Sequence, residues 1–312
     1  MQKTRYLCTQ IDDLIDFLMK TRLLIFCMSL IALMTIGCND MRYVETVMDN
    51  AEELMTDRPD SAYQMLRTLD AQAIDGERLQ ARYALLYTKA QYKNYREDGN
   101  DSLITIAVRY YDAKGMKTEL MESLMLLSVQ LRIQERYDES MVNLHRAADI
   151  GEELGDHFML GRIYTNLFLL CSLVLDSDDL RYAEKAYNHY KLDGNDDYII
   201  DGMCNLGIAY YHHNEFDKSE TLLDSVYQWA LRSKDDFSIN KSGQFLAMIN
   251  ASRGNYESAD SLFQMLHNQY GYNYGPEDMW ALAEACLVRN QKDQAISLME
   301  QAAAMEKSFT DD

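Results

Sequence analysis

From residue 206 the chain reads LGIAYYHHNEFDKSETLLDSV. Leu206, Gly207 and Tyr210 fall on one face of a helix, and Phe216, Ser219, Leu223 and Val226 fall on one face of a second. The turn between them is polar. The same frame returns at Leu127, Ser128, Leu131, Tyr137, Ser140, Leu144 and Ala147. It returns at Leu246, Ala247, Tyr256, Ala259, Phe263 and Leu266, and again at Leu282, Ala283, Cys286, Ala295, Met299 and Ala302. A looser copy holds Tyr164, Leu167, Cys171, Leu180, Ala183 and Tyr187, with about three extra residues near Asp176–Asp179. Two antiparallel helices approach closely only where both present small side chains. The small site of the second helix is Ser140, Ala183, Ser219, Ala259 and Ala295, small in all five copies, whereas Phe168 breaks the matching site on the first helix of the loose copy.

The leading leucines, Leu127, Leu167, Leu206, Leu246 and Leu282, are 40, 39, 40 and 36 residues apart. Two weaker hairpins precede them. One runs from Tyr43 to Leu69, with Pro59 just inside its second helix, where a missing N–H costs nothing. The other runs from Leu79 to Ala113, with Tyr83, Leu86 and Ala90 on its first helix. Pro276 opens the last hairpin after Gly275. The pattern predicts an all-α chain of about seven hairpins and fourteen helices. With 2 prolines and 14 glycines in 312 residues, a loop-rich all-β fold is disfavoured.

The first forty residues carry a different pattern. Residues 23–36, LLIFCMSLIALMTI, are an apolar run with the length of a signal-peptide core, too short to span a bilayer comfortably. Lys20 and Arg22 precede it, and Gly37-Cys38 follows. Asp12, Asp13 and Asp16 lie where a signal should be basic, so the expected start is Met19, with residues 1–18 a misassigned extension.

Charge narrows the function. Lys and Arg number 30 against 50 Asp and Glu, a net −20, which argues against phosphate-backbone binding and so against nucleic acid. No phosphate loop, nucleophile elbow or HExxH motif occurs, so neither an enzyme nor a cofactor is expected. His145, His157, His189 and His267 are scattered. His212 and His213 are adjacent and diverge on a helix by about 100°, so they are not expected to share a metal ion. The runs Asp176-Ser177-Asp178-Asp179 and Asn195-Asp196-Asp197 lack a full calcium loop and read as helix caps. Cys171, Cys204 and Cys286 have no metal spacing and read as small core residues. Asp60-Ser61-Ala62, Asp101-Ser102-Leu103, Asp224-Ser225-Val226 and Asp260-Ser261-Leu262 resemble a bacterial O-glycosylation sequon, against the plainer reading as helix caps and solvated faces.

The large–small–aromatic frame over residues 42–307 resembles the tetratricopeptide repeat (TPR), whose minimal unit has about 34 residues. That resemblance implies a right-handed α-solenoid over 42–312, with the first helix (A) of each hairpin lining a groove. Carried over position by position, it assigns Tyr92, Arg132, Arg162, Tyr211, His212, Gln244 and Trp280 to that groove. The rival reading is packing between hairpins for the aromatics and a solvated face for the rest. Lys and Arg do not recur at equivalent positions of successive helices, unlike repeats that clamp a partner's terminal carboxylate.

Thr35-Ile36-Gly37-Cys38 resembles a bacterial lipoprotein box. It implies a signal peptide over 19–37, lipid on Cys38, a short tether over 38–41, and a Gram-negative envelope. Asn39 lacks the Asp that retains some lipoproteins at the inner membrane, so the outer membrane is expected. The opening AEELMTDRPDSAYQMLRTLD also resembles the start of TPR sensor-regulators. The expected function is an adaptor or scaffold that binds a protein or peptide. The alternatives are the sensor portion of a signalling regulator without its output domain, and a helical glycan-binding lipoprotein, against which stands the presence of only two tryptophans, Trp229 and Trp280.

Overall fold

A computed structural model describes residues 41–310. Residues 1–40 lie outside it, and with them the start at Met19, the signal peptide, Cys38 and most of the tether. The described residues form fourteen α-helices and no strand. They are α1 (residues 41–54), α2 (Pro59–Leu66), α3 (Glu77–Lys93), α4 (Ser102–Lys114), α5 (Lys117–Ile133), α6 (Tyr137–Leu154) and α7 (His157–Leu173). Then follow α8 (Asp179–Asp193), α9 (Asp196–His212), α10 (Phe216–Ser233), α11 (Asp236–Ser252), α12 (Tyr256–Tyr270), α13 (Pro276–Val288) and α14 (Lys292–Thr310). The odd-numbered helices are the A helices and the even-numbered ones the B helices of seven hairpins. The fold is an all-α, TPR-like helical solenoid. No described helix is long and apolar enough to cross a membrane.

Cα packing divides the chain between Gln130 and Leu131, inside α5. In the first unit one core joins Val44, Met48 and Ala51 of α1 to Ala62 and Leu66 of α2 and to Tyr83, Leu86 and Ala90 of α3. Charge pairs run over it: Arg82 reaches Asp49 at 2.7 Å and Glu52 at 2.5 Å, and Lys89 reaches Glu122 at 2.9 Å.

In the second unit the small sites meet as expected. Ser140, Ala183, Ser219, Ala259 and Ala295 are all buried. Ser219 Oγ donates to the Gly207 carbonyl at 2.7 Å, joining α10 to α9 at their closest approach. The glycines on the A helices are small for the same reason: a Cβ on Gly161 would lie 2.4 Å from the Tyr190 ring. The three extra residues of the loose copy open its α7–α8 turn, and α8 is correspondingly short at 15 residues against 18 in α10.

Each A helix of the last six hairpins ends in the same turn. The left-handed residue is Tyr95, Glu135, Leu175, Asn214, Gly254 and Asn290 in turn. The next N–H bonds back five residues, as in Arg136 to Leu131 O and Glu215 to Tyr210 O. Of the B helices, α4, α6, α8 and α12 end on a left-handed Gly115, Gly155, Gly194 and Gly271 in turn, α2 ends on the right-handed Arg67, and α10 ends on Lys234 at φ 58°. A side chain there is strained where glycine is not. Lys234→Gly is therefore expected to raise stability by roughly 0.5–1 kcal/mol, read as a higher urea midpoint at unchanged slope. An unchanged midpoint would count against strain at this turn.

Candidate functional site

Two side-chain columns join hairpin to hairpin. Immediately before the left-handed residue stand His213, Arg253 and Arg289. Each reaches back to the preceding B helix: His213 Nε2 to Asp179 at 2.6 Å, Arg253 to Asp217 at 2.6 Å and Glu220 at 2.7 Å, and Arg289 to Asp260 at 2.8 Å. His212 Nδ1 also meets the buried Asp179 carboxylate, at 3.0 Å. His213 has left the helix as its C-cap, so the two rings converge on one acid. Asp179 is therefore an inter-hairpin anchor as well as the first residue of α8. Asn195 does cap its helix, accepting from the Asp197 and Tyr198 N–H groups.

The second column lies thirteen residues before each left-handed turn residue. It holds Arg82, Glu122, Arg162, Asp201, Lys241 and Glu277, one per A helix from α3 to α13, with alternating sign. Alternation lets neighbouring A helices carry charge at one register without like-charge repulsion. The repeat frame contained this column, but it becomes visible only when the copies are aligned on their turns.

Within the second unit α7 packs on α9, α9 on α11 and α11 on α13, while the B helices stand farther apart and meet through side chains, as Tyr182 of α8 and His145 of α6 do at 3.3 Å. The A helices thus form a continuous face. Between α10 and α12 the separated B helices leave an open cleft of about 600 Å³, floored by Leu246 and Asn250 of α11.

The candidate groove residues divide by direction. Tyr211 is half-buried between hairpins, its ring 5.4 Å from that of Phe245, and burial pushes its hydroxyl up from the ordinary tyrosine value. His212 is held by Asp179. Gln244 Nε2 donates to Asp278 of the next hairpin at 3.0 Å. Trp280, 39% exposed, donates to Glu306 at 3.0 Å. Arg162 is buried against Met159 Sδ and the Phe158 ring. Arg132 is half-buried in the last turn of α5. Tyr92, half-buried on α3, belongs to the first unit.

Asp278 organises the last two junctions. Its buried carboxylate accepts from Gln244, from the Tyr272 hydroxyl at 2.6 Å and from the Gly275 N–H at 2.7 Å. Burial and this acceptor push the Tyr272 hydroxyl well above its ordinary range.

A titratable cluster joins α6, α7 and α8. His157 Nδ1 and His189 Nδ1 are 3.1 Å apart, so one donates and the other accepts. Glu152 stands 3.7 Å from His189 Nε2 and also accepts from the Tyr164 hydroxyl, which Lys185 approaches at 3.2 Å. Burial pushes the His189 imidazole below its ordinary value; Glu152 opposes this, and His157 and Lys185 add to it. A histidine pKa lowered by folding favours the native state when the ring is neutral. That stability is complete above the unfolded value of about 6.5 and is lost as pH falls through it. His189→Gln is expected to flatten the loss of urea stability between about pH 7.5 and pH 5.5. An unchanged slope would place the sensitivity elsewhere.

Burial pushes the Cys171 thiol up to about 12 and the Cys204 thiol up to about 11, so both are neutral core groups. Among the described residues no group of three or more His, Cys, Asp or Glu side chains is arranged to hold a metal. Of the Asp-Ser triplets, two lie at the starts of α2 and α4 and two within α10 and α12.

No known family's sequence profile matches the chain, and no curated protein matches it in sequence. Solved structures resemble its fold. NprR in complex with its cognate peptide NprX gives a TM-score of 0.64 at 13% identity, covering 83% of this chain and 77% of that one. The apo form of RapI gives 0.63 at 8% identity, covering 86% and 100%. A Rap protein complexed with Competence and Sporulation Factor gives 0.61 at 11% identity, covering 85% and 77%. At these identities the likeness is one of fold.

Proposed function

We propose that this chain is a non-enzymatic envelope lipoprotein whose TPR-like array captures a peptide or protein on its A-helix face, as an adaptor or sensor. One observation carries the reading. The A helices α7, α9, α11 and α13 lie side by side as an uninterrupted face, from which Phe237, 67% exposed, and Trp280 project. Large rings left on a surface are the residue types that anchor interfaces. Two of the structurally similar proteins, NprR and a Rap protein, were solved with a bound peptide or factor, which supports the class of partner. Glycan binding is less well supported, because Trp229 packs within the α10–α12 core and leaves Trp280 as the single exposed tryptophan.

The test is retention of a synthetic peptide library by the full-length Cys38→Ala chain, with bound peptides identified by mass spectrometry. The expected result is a defined subset retained by this chain and lost when Phe237→Asp and Trp280→Asp are added. Equal retention by both forms would contradict the reading.

The anchor rests on the Gly37-Cys38 box. Palmitate labelling in cells should mark the wild-type chain and not Cys38→Ala. Label surviving that substitution would remove the anchor from the account.

A further inference from the structure

The chemistry of the A-helix face narrows its partner, an inference that rests on the peptide-binding reading above. In the alternating column the two cations of the second unit both have partners within the unit. Arg162 is buried, and Lys241 Nζ is held by Asn205 Oδ1 at 2.9 Å. Their acidic neighbours Asp201 and Glu277 are open to solvent. One turn before Asp201 stands exposed Asp197, and two turns after Glu277 stands exposed Glu284. Phe237 and Trp280 project among them. An approaching molecule therefore meets carboxylates and aromatic rings, while the cations are engaged within the face.

We propose that this face docks an extended cationic peptide, its Lys or Arg side chains pairing with Asp201 and Glu277 and their aliphatic stems lying on Phe237 and Trp280. Charge complementarity selects this occupant: Asp197, Asp201, Glu277 and Glu284 are exposed, and the net charge of −20 repels acidic peptides at long range. Guanidinium or ammonium over an aromatic face adds cation–π attraction.

Asp201 supports the assignment. Its carboxyl is accessible yet crowded, and that desolvation pushes its pKa above the ordinary value; Lys241 pulls it back, and Asp235 and Asp197 push it up. A carboxylate pKa raised by folding costs stability above the folded value and nothing once the group is protonated. Asp201→Asn should therefore stabilise the free protein at pH 7, with the gain vanishing below about pH 4. A side chain that weakens the fold and faces outward is suited to an incoming cation.

The test uses fluorescein-labelled ten-residue peptide pools with Lys, Gln or Glu at four alternate fixed positions and Gly, Ser and Leu elsewhere. Binding to the full-length Cys38→Ala chain is read by anisotropy. The expected result is that the Lys pool binds at least tenfold more tightly than the Gln pool, and that the Glu pool does not bind. Asp201→Asn with Glu277→Gln should weaken the Lys pool tenfold or more without lowering the urea midpoint, which separates lost recognition from lost folding. Phe237→Ala should weaken it too. Equal binding of the Lys and Gln pools, both lost in Phe237→Ala, would overturn the charge selectivity and leave peptide capture standing. Preference for the Glu pool, an unaffected acidic double variant, or no binding by any pool would likewise overturn it; peptide capture itself is judged by the library experiment.

Discussion

Asp278→Ala is expected to destabilise the second unit by roughly 3–5 kcal/mol, read from urea unfolding. The carboxylate is buried and accepts three hydrogen bonds, from Gln244 Nε2, the Tyr272 hydroxyl and the Gly275 N–H. Bonds to a charged acceptor are each stronger than neutral ones, and the larger effect comes from what truncation leaves behind. Three donors from α11, the α12–α13 loop and the start of α13 would be stranded away from water. Asp278→Asn should cost less, because its carbonyl still accepts while its amide group opposes the remaining donors. A loss below about 1 kcal/mol for Asp278→Ala would mean that water replaces the acid and that the junction is not tied through it.

Phe263→Ala is expected to cost about 3–5 kcal/mol, the usual range for emptying a fully buried aromatic site. Phe263 has no exposed surface and sits in a cluster with Ala247, Met248 and Leu282, its ring edge-on to Tyr274 at 6.0 Å. The cluster joins α11 and α12 of its own hairpin to α13 of the next. In a stacked array a lost contact acts on the adjoining repeats first. Hydrogen exchange should therefore accelerate in α11, α12 and α13 while α1 to α4 keep their protection. Uniform acceleration through both units would contradict that local organisation.

Much of the architecture was legible before any coordinates. The small column Ser140, Ala183, Ser219, Ala259 and Ala295 is a steric requirement of close helix pairs, so it marks the hairpins directly. Pro59 and Pro276 opened helices where their missing N–H groups are harmless. The left-handed Leu175, 92% exposed, was not legible, because a leucine gives no turn signal; the turn is imposed by the helices on either side.

The candidate site was legible only in outline. Residue types and register placed Tyr211, His212, Gln244 and Trp280 on A helices. Their directions depend on what the adjoining hairpin offers: Phe245 for Tyr211, Asp179 for His212, Asp278 for Gln244. That information lies in packing between helices some thirty residues apart. Asp179 shows the same limit, since its place in an acidic run suggested a cap and its burial beneath two histidines came only with the fold. The alternating charges from Arg82 to Glu277 were present in the repeat frame, and the turns supply the alignment that displays them.

The central claim is that a partner docks on the A-helix face of the second unit. Its most direct test is site-specific photo-crosslinking in intact cells, with the probe at Phe237 on that face and a matched probe at Lys218, which lies exposed on α10 beside Glu215. The account predicts a discrete peptide or protein adduct from position 237, diminished by Asp201→Asn with Glu277→Gln, and none from position 218. Equal adducts from both positions, or adducts from 218 alone, would contradict it.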